Sequence, residues 1–211
     1  MRVHQLTFNP FAENTYLLEK DSQVIVIDPG MYTPEENVQF KKYIDGQNLE
    51  VVHLLLTHAH LDHVFGVKWV NECYELTPRL HKEDDFIYEN AQATANQYGL
   101  FMEALPQAEY DLHEGDTFDF HGSDLQIIHT PGHSPGSLCF ISHEDKFVIG
   151  GDVLFQGSIG RTDLPGGNYQ TLIDAIKTKL MPLSDDYRVY SGHGPMTTIG
   201  QERISNPFLQ D

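Results

Sequence analysis

The stretch Leu54-Leu-Leu-Thr-His58-Ala-His60-Leu-Asp62-His63 constrains this chain more than any other. It begins inside an apolar run, residues 51–57, that reads as a buried strand. Three histidines and an aspartate then fall within six positions. His58 and His60, two apart on an extended chain, point the same way off the strand end. Asp62 and His63 open the next helical segment, which continues through Val64, Val67, Trp69 and Val70. A strand end and a helix start thus aim four side chains at one place. Imidazole nitrogens and a carboxylate are the ligands that zinc and its first-row neighbours take.

Such a cluster needs partners further along, and three stretches supply them. Thr130-Pro-Gly-His133-Ser-Pro-Gly-Ser137 follows the apolar strand 125–130 with a histidine in a Gly/Pro-rich turn. Phe147-Val-Ile-Gly-Gly-Asp152 ends another strand in an aspartate, and Tyr187-Arg-Val-Tyr-Ser-Gly-His193 ends a further one in a histidine. The grammar is shared: apolar strand, small residue, ligand.

H-x-H-x-D-H followed by a lone His, Asp and His in that order resembles the metallo-β-lactamase superfamily, and within it glyoxalase II (hydroxyacylglutathione hydrolase) in its short bacterial form. The likeness extends to Gly150-Gly-Asp-Val-Leu-Phe155, to Gly157-Ser-Ile-Gly-Arg161-Thr-Asp163-Leu-Pro-Gly-Gly167 and to the ending Glu202-Arg-Ile-Ser-Asn-Pro-Phe-Leu209. The fold this implies is α/β, a four-layer αββα sandwich formed by residues 1–211 as one domain. The implied cofactor is a pair of divalent metal ions, zinc first, with iron or manganese as alternatives. His58, His60 and His133 would bind one ion, Asp62, His63 and His193 the second, and Asp152 would bridge them. Asp62 and Asp152 are thereby the expected catalytic residues. Two ions roughly 3.5–4 Å apart bring a water to a near-neutral pKa, which suits attack of hydroxide on a thioester carbonyl.

Two other activities compete with that expectation. A related branch, the persulfide dioxygenases, uses one iron on the equivalents of His58, His133 and Asp152 and shares the Gly-Arg-Thr-Asp loop. Its last histidine is usually followed by Asp, whereas Gly194-Pro195 stands here. A non-catalytic metal-binding module is the third reading. Full-length glyoxalase II adds a helical carboxy-terminal domain that grips glutathione; only residues 194–211 follow His193, so that domain is expected to be absent.

Composition narrows the partners. The formal charge is −18, from 31 acidic against 13 basic residues. A surface this acidic repels phosphate backbones, so a small-molecule thioester is expected as partner rather than nucleic acid. Residues 1–10 lack a signal-peptide pattern and no run reaches membrane-spanning length, so a cytoplasmic location is expected. Cys73 and Cys139 lie in apolar contexts and read as two buried thiols.

Several residues carry two readings each. Asp28, in Asp28-Pro-Gly30, either supports the site from behind the ligands or merely turns the chain. Arg161 either holds a substrate carboxylate or locks its own loop through Asp163. The turn Tyr98-Gly-Leu-Phe-Met102 either packs onto the body or walls a substrate cleft. Residues 34–46 read as a helix with Pro at its start, glycine at its end, and Val38 with Tyr43 or Ile44 facing the sheet. Helices are also expected at 64–73, 169–180 and from 199, with a strand at 76–81.

Overall fold

The computed structural model describes residues 1–210. The chain divides into two compact units, Met1–Asp111 and Leu112–Asp211.

The first unit opens with strands β1 (Arg2–Phe8), β2 (Glu13–Lys20) and β3 (Gln23–Ile27), paired antiparallel in turn. Helix α1 (Pro34–Gln47) then crosses over to β4 (Glu50–Leu55), which lies parallel to β3. Thr33 and Glu36 form a capping box at the start of α1, and Pro34 stands in its first turn. The helix runs through Gly46 rather than ending there, and Asn48 takes the left-handed cap at φ 58°. Phe40 and Ile44, one turn apart, face the sheet; Val38, half a turn from Phe40, is exposed.

The helix expected over 64–73 is broken in two, α2 (Leu61–Val64) and α3 (Val67–Tyr74). Gly66 makes the break. Its N–H donates to the carbonyl of Pro29 at 2.7 Å, and a Cβ on it would stand 2.8 Å from that same oxygen. The strand expected at 76–81 shrinks to two isolated bridges at Arg79, one to Leu55 and one to Glu109. Pro78 beside it has no N–H for a ladder. A 3₁₀ turn at Lys82–Asp84, then α4 (Asp85–Glu89) and α5 (Ala91–Gln97), complete the unit. Leu17, Val26, Leu54, Phe40, Ile44 and Val67 are members of one buried cluster joining its sheet to its helices.

The second unit follows a similar plan. Strands β5 (Thr117–Phe120), β6 (Ser123–His129), β7 (Leu138–Ser142) and β8 (Phe147–Gly151) form an antiparallel meander. A short hairpin pairs β9 (Leu154–Phe155) with β10 (Ser158–Ile159). Helix α6 (Tyr169–Ala175) continues as a π-helical turn, Ile176–Leu180, and leads to β11 (Arg188–Ser191), parallel to β8. Then β12 (Thr197–Thr198) closes the sheet edge before α7 (Ile199–Ser205). Leu172, Ile173, Ile176 and Leu180 bury the expected face of the helical stretch beside Ile141, Val148 and Val189.

In both units a meander leads into a strand–helix–parallel strand crossover. Parallel neighbours end at the same edge. Asp28 and His58 therefore follow β3 and β4 at one edge, while His133, Asp152 and His193 follow β6, β8 and β11 at another. No helix among the described residues is long and apolar enough to cross a membrane.

Candidate metal centre

In the first unit the ligand-type histidines are held by hydrogen bonds that decide where their protons sit. The Thr57 N–H donates to Asp28 Oδ1 at 2.7 Å and its hydroxyl donates to Oδ2 at 2.5 Å. That hydroxyl has one proton and has spent it, so at 3.0 Å from His58 Nδ1 it accepts from the ring. His63 Nδ1 lies 3.0 Å from Asp28 Oδ2 and donates to it. Both rings thus carry the proton on Nδ1 and leave the Nε2 lone pair for a cation, which is how outer groups prepare metal-binding histidines. Asp28, His58 and His63 bring ligand-type atoms within 4.8 Å of one another, yet the Asp28 oxygens are already committed as acceptors. Of its two roles left open by the sequence, Asp28 takes the supporting one. It does so at φ 52°, in the left-handed region that aspartate tolerates better than most residues.

The backbone around these rings is pinned from several sides. The buried Asp84 accepts the Ala59 N–H at 2.8 Å, between His58 and His60. Asn9 donates through Nδ2 to the carbonyls of Asp62, at 3.0 Å, and Gly30, at 2.9 Å. The rings gather closely: the His58 centroid is 4.9 Å from that of His60 and 4.1 Å from that of His63. His63 Nε2 is 3.7 Å from Asp62 Oδ2. His58 and His63 are buried, whereas His60 and Asp62 keep partial access to solvent. All four residues of the H-x-H-x-D-H motif are therefore brought together.

The second unit collects its three ligand-type residues around one oxygen. Asp152 Oδ2 lies 3.5 Å from His133 Nε2 and 3.5 Å from His193 Nε2. His133 Nδ1 donates to the backbone carbonyl of Arg161 at 2.8 Å, so its Nε2 carries the lone pair and faces Asp152. The Arg161 side chain turns elsewhere. Nε and one terminal nitrogen each meet a different Asp163 oxygen at 2.7 Å, and this pairing holds the Asp163 carboxyl down at about 2. That is the loop-locking arrangement of the two that the sequence left open for Arg161.

Other expectations resolve unevenly. Met102 is buried and its carbonyl accepts from Gln92 at 3.0 Å, while Tyr98 and Phe101 are exposed. Cys139 is buried and its thiol is pushed up to about 12 by burial. Cys73, expected to be buried, is exposed: it stands in the last turn of α3, outside the buried Val67–Val70 stripe. Sequence reasoning passed over Thr57, Asp84, Asn9 and the buried Glu13. Thr57 sits in the motif and so carried a signal; Glu13, and Asp84 in an acidic triplet, carried none.

The donor set fits a divalent cation of the zinc, iron or manganese kind. It offers imidazole Nε2 lone pairs, with carboxylates beside them. Neutral, oriented imidazoles at hydrogen-bonded strand ends are what such an ion needs, and few other tasks call for so many.

Comparison with known proteins agrees with this chemistry. Residues 8–193 match the sequence profile of the metallo-beta-lactamase superfamily. The chain is 40% identical to the hydroxyacylglutathione hydrolase GloC of Haemophilus influenzae, over 99% of this chain and 98% of that one. Among solved structures it is similar to the BLEG-1 B3 metallo-beta-lactamase, with 34% identity, a TM-score of 0.91 and all of both chains covered. It is also similar to TTHA1623, solved in a di-iron-bound form, with 40% identity, a TM-score of 0.87, and 98% of this chain and 100% of that one covered. With the family's profile, its fold and its divalent-metal donors all present, the chain belongs to the metallo-β-lactamase superfamily, as a metallo-hydrolase.

Proposed function

We propose that the chain hydrolyses small acyl thioesters, foremost 2-hydroxyacyl thioesters of glutathione. In this reading His58, His60 and His133 would hold one divalent ion and Asp62, His63 and His193 a second, with Asp152 available to both. Zinc is the ion the mixed nitrogen and oxygen donors suit first, with iron and manganese close behind. When bound, such a pair supplies Lewis acidity and a water acidic enough to attack a carbonyl at neutral pH.

The single observation that carries the proposal is the position of Asp152. One carboxylate oxygen stands 3.5 Å from the Nε2 atoms of both His133 and His193, where it can neutralise cations on either side. The other residues orient. Asp28 and Thr57 keep the protons of His63 and His58 on Nδ1, and the Arg161 carbonyl does the same for His133. The thioester substrate is supported by the 40% identity to a hydroxyacylglutathione hydrolase along nearly the whole of both chains.

The test is release of free thiol from S-D-lactoylglutathione by the metal-replete protein, run beside oxygen uptake with glutathione persulfide. Thiol release is the expected result. Oxygen consumption without it would replace the proposal by persulfide dioxygenation. Neither activity, with metal bound, would leave a non-catalytic metal-binding module.

A further inference from the structure

Glu13 begins β2 with a fully buried side chain, followed by five more buried residues. Its Oε2 accepts the Thr15 hydroxyl at 3.0 Å, and Thr15 Oγ1 in turn accepts the Gly30 N–H at 2.9 Å. Its Oε1 lies 4.0 Å from His63 Nδ1 and has no hydrogen-bond partner among the described residues. The carboxyl also fills the space beneath the turn after β3. A Cβ on Gly30 would fall 1.9 Å from Glu13 Oε2, so the acid packs where only a glycine leaves it room.

Burying a carboxyl with one oxygen unpaired costs a few kcal/mol that an apolar residue would avoid. A merely structural position in β2 has no need of it. What the carboxyl touches is specific: the turn that carries Asp28 on one side, and the Nδ1 edge of His63 on the other.

We infer that Glu13 is a positioning residue for His63, acting through the Thr15–Gly30 link on the Asp28 turn and by backing the Nδ1 edge of the imidazole. The inference rests on the reading of His63 as a metal ligand. The carboxyl holds the turn; the turn holds Asp28; Asp28 holds the His63 proton on Nδ1. Loosening the first link lets the ring rotate or take the other tautomer, and the Nε2 lone pair is then no longer aimed.

The experiment uses the full chain, metal-free and titrated with cobalt(II). It compares wild type, Glu13→Ala, Glu13→Gln, Thr15→Val and His63→Ala. In Glu13→Ala and Thr15→Val, one of the two cobalt equivalents should weaken by about 10–100-fold, the usual loss when an outer partner of a metal ligand is removed. Their visible bands should change accordingly. Glu13→Gln keeps the volume and the acceptor for Thr15, and should recover most of the affinity. In the metal-free protein, nitrogen-15 correlation spectra should show His63 as the Nδ1–H tautomer in wild type and as a mixture in Glu13→Ala. Should Glu13→Ala fail to fold, Thr15→Val carries the same comparison. If His63→Ala loses one equivalent while Glu13→Ala and Thr15→Val bind both as wild type does, the inference is overturned. If His63→Ala itself keeps both equivalents and an unchanged spectrum, the ligand reading fails and the inference falls with it.

Discussion

The guanidinium of Arg161 holds the carboxylate of Asp163 through two bonds of 2.7 Å, two residues along the same loop. The carbonyl of that same Arg161 receives the Nδ1–H of His133. Side chain and main chain of one residue thus join the loop's shape to a ligand's orientation. Arg161→Ala and Asp163→Ala should therefore behave alike: kcat falls, by up to about tenfold as for other partners of a metal-binding histidine, and KM changes little. Steady-state kinetics on both variants provide the check. A rise in KM confined to Arg161→Ala would show that the guanidinium leaves Asp163 to hold substrate.

Asp152→Ala should cost more activity than His63→Ala or His193→Ala. Its Oδ2 stands between two imidazoles, so its loss leaves both without the negative charge that offsets a cation between them. Elemental analysis should find fewer metal equivalents in the Asp152 variant than in either histidine variant. Two equivalents with near-normal turnover would refute the shared role.

Thr57→Val keeps the shape of the side chain and deletes the hydroxyl that links His58 to Asp28. Metal affinity should drop by about 10–100-fold, measured by competition with a chromophoric chelator. Breaking a buried hydrogen bond to a charged group should also lower stability by about 1.5–3 kcal/mol in denaturant titrations. Asp28→Asn should weaken the metal more, because the amide keeps one oxygen where the carboxylate uses two to accept from Thr57 and His63.

The two thiols should react very differently. Exposed Cys73 should be modified by a disulfide reagent at pH 8, whereas Cys139 should react only after unfolding, giving one thiol per native chain and two in denaturant. The buried Cys139 thiol titrates at about 12, against 9.0 for an ordinary cysteine. The folded form therefore binds its proton more tightly than the unfolded one. This contribution to stability is complete below pH 9.0 and drains away as the pH rises towards about 12.

The short-range content of this protein is legible in its residues. The run 51–57 became β4 and its exit, Thr33-Pro34 capped α1, and the spacing of Leu172, Ile173, Ile176 and Leu180 placed the buried face of α6 and its π-helical turn. Periodicity, caps and turn residues act over a few positions, so they can be read from a few positions. The clustering of His58, His60, Asp62 and His63 was legible for the same reason, since they lie within one strand exit and one helical turn.

What tertiary structure alone decided is everything that depends on a neighbour distant in sequence. Gly66 breaks a helix because the Pro29 carbonyl takes its N–H, 37 residues back along the chain (66 − 29). Val38 is exposed and Phe40 buried because the sheet, not the helix pattern, chooses which side of α1 is inside. Asp28 is a support rather than a turn residue because folding sets it against Thr57 and His63. Arg161 is paired, and Glu13 buried beneath Gly30, through contacts that exist only in the folded chain. The sequence by itself determined which atoms can bind a metal. Folding determined on which nitrogen their protons sit, because a hydrogen bond is chosen by distance in space and not by position in the chain.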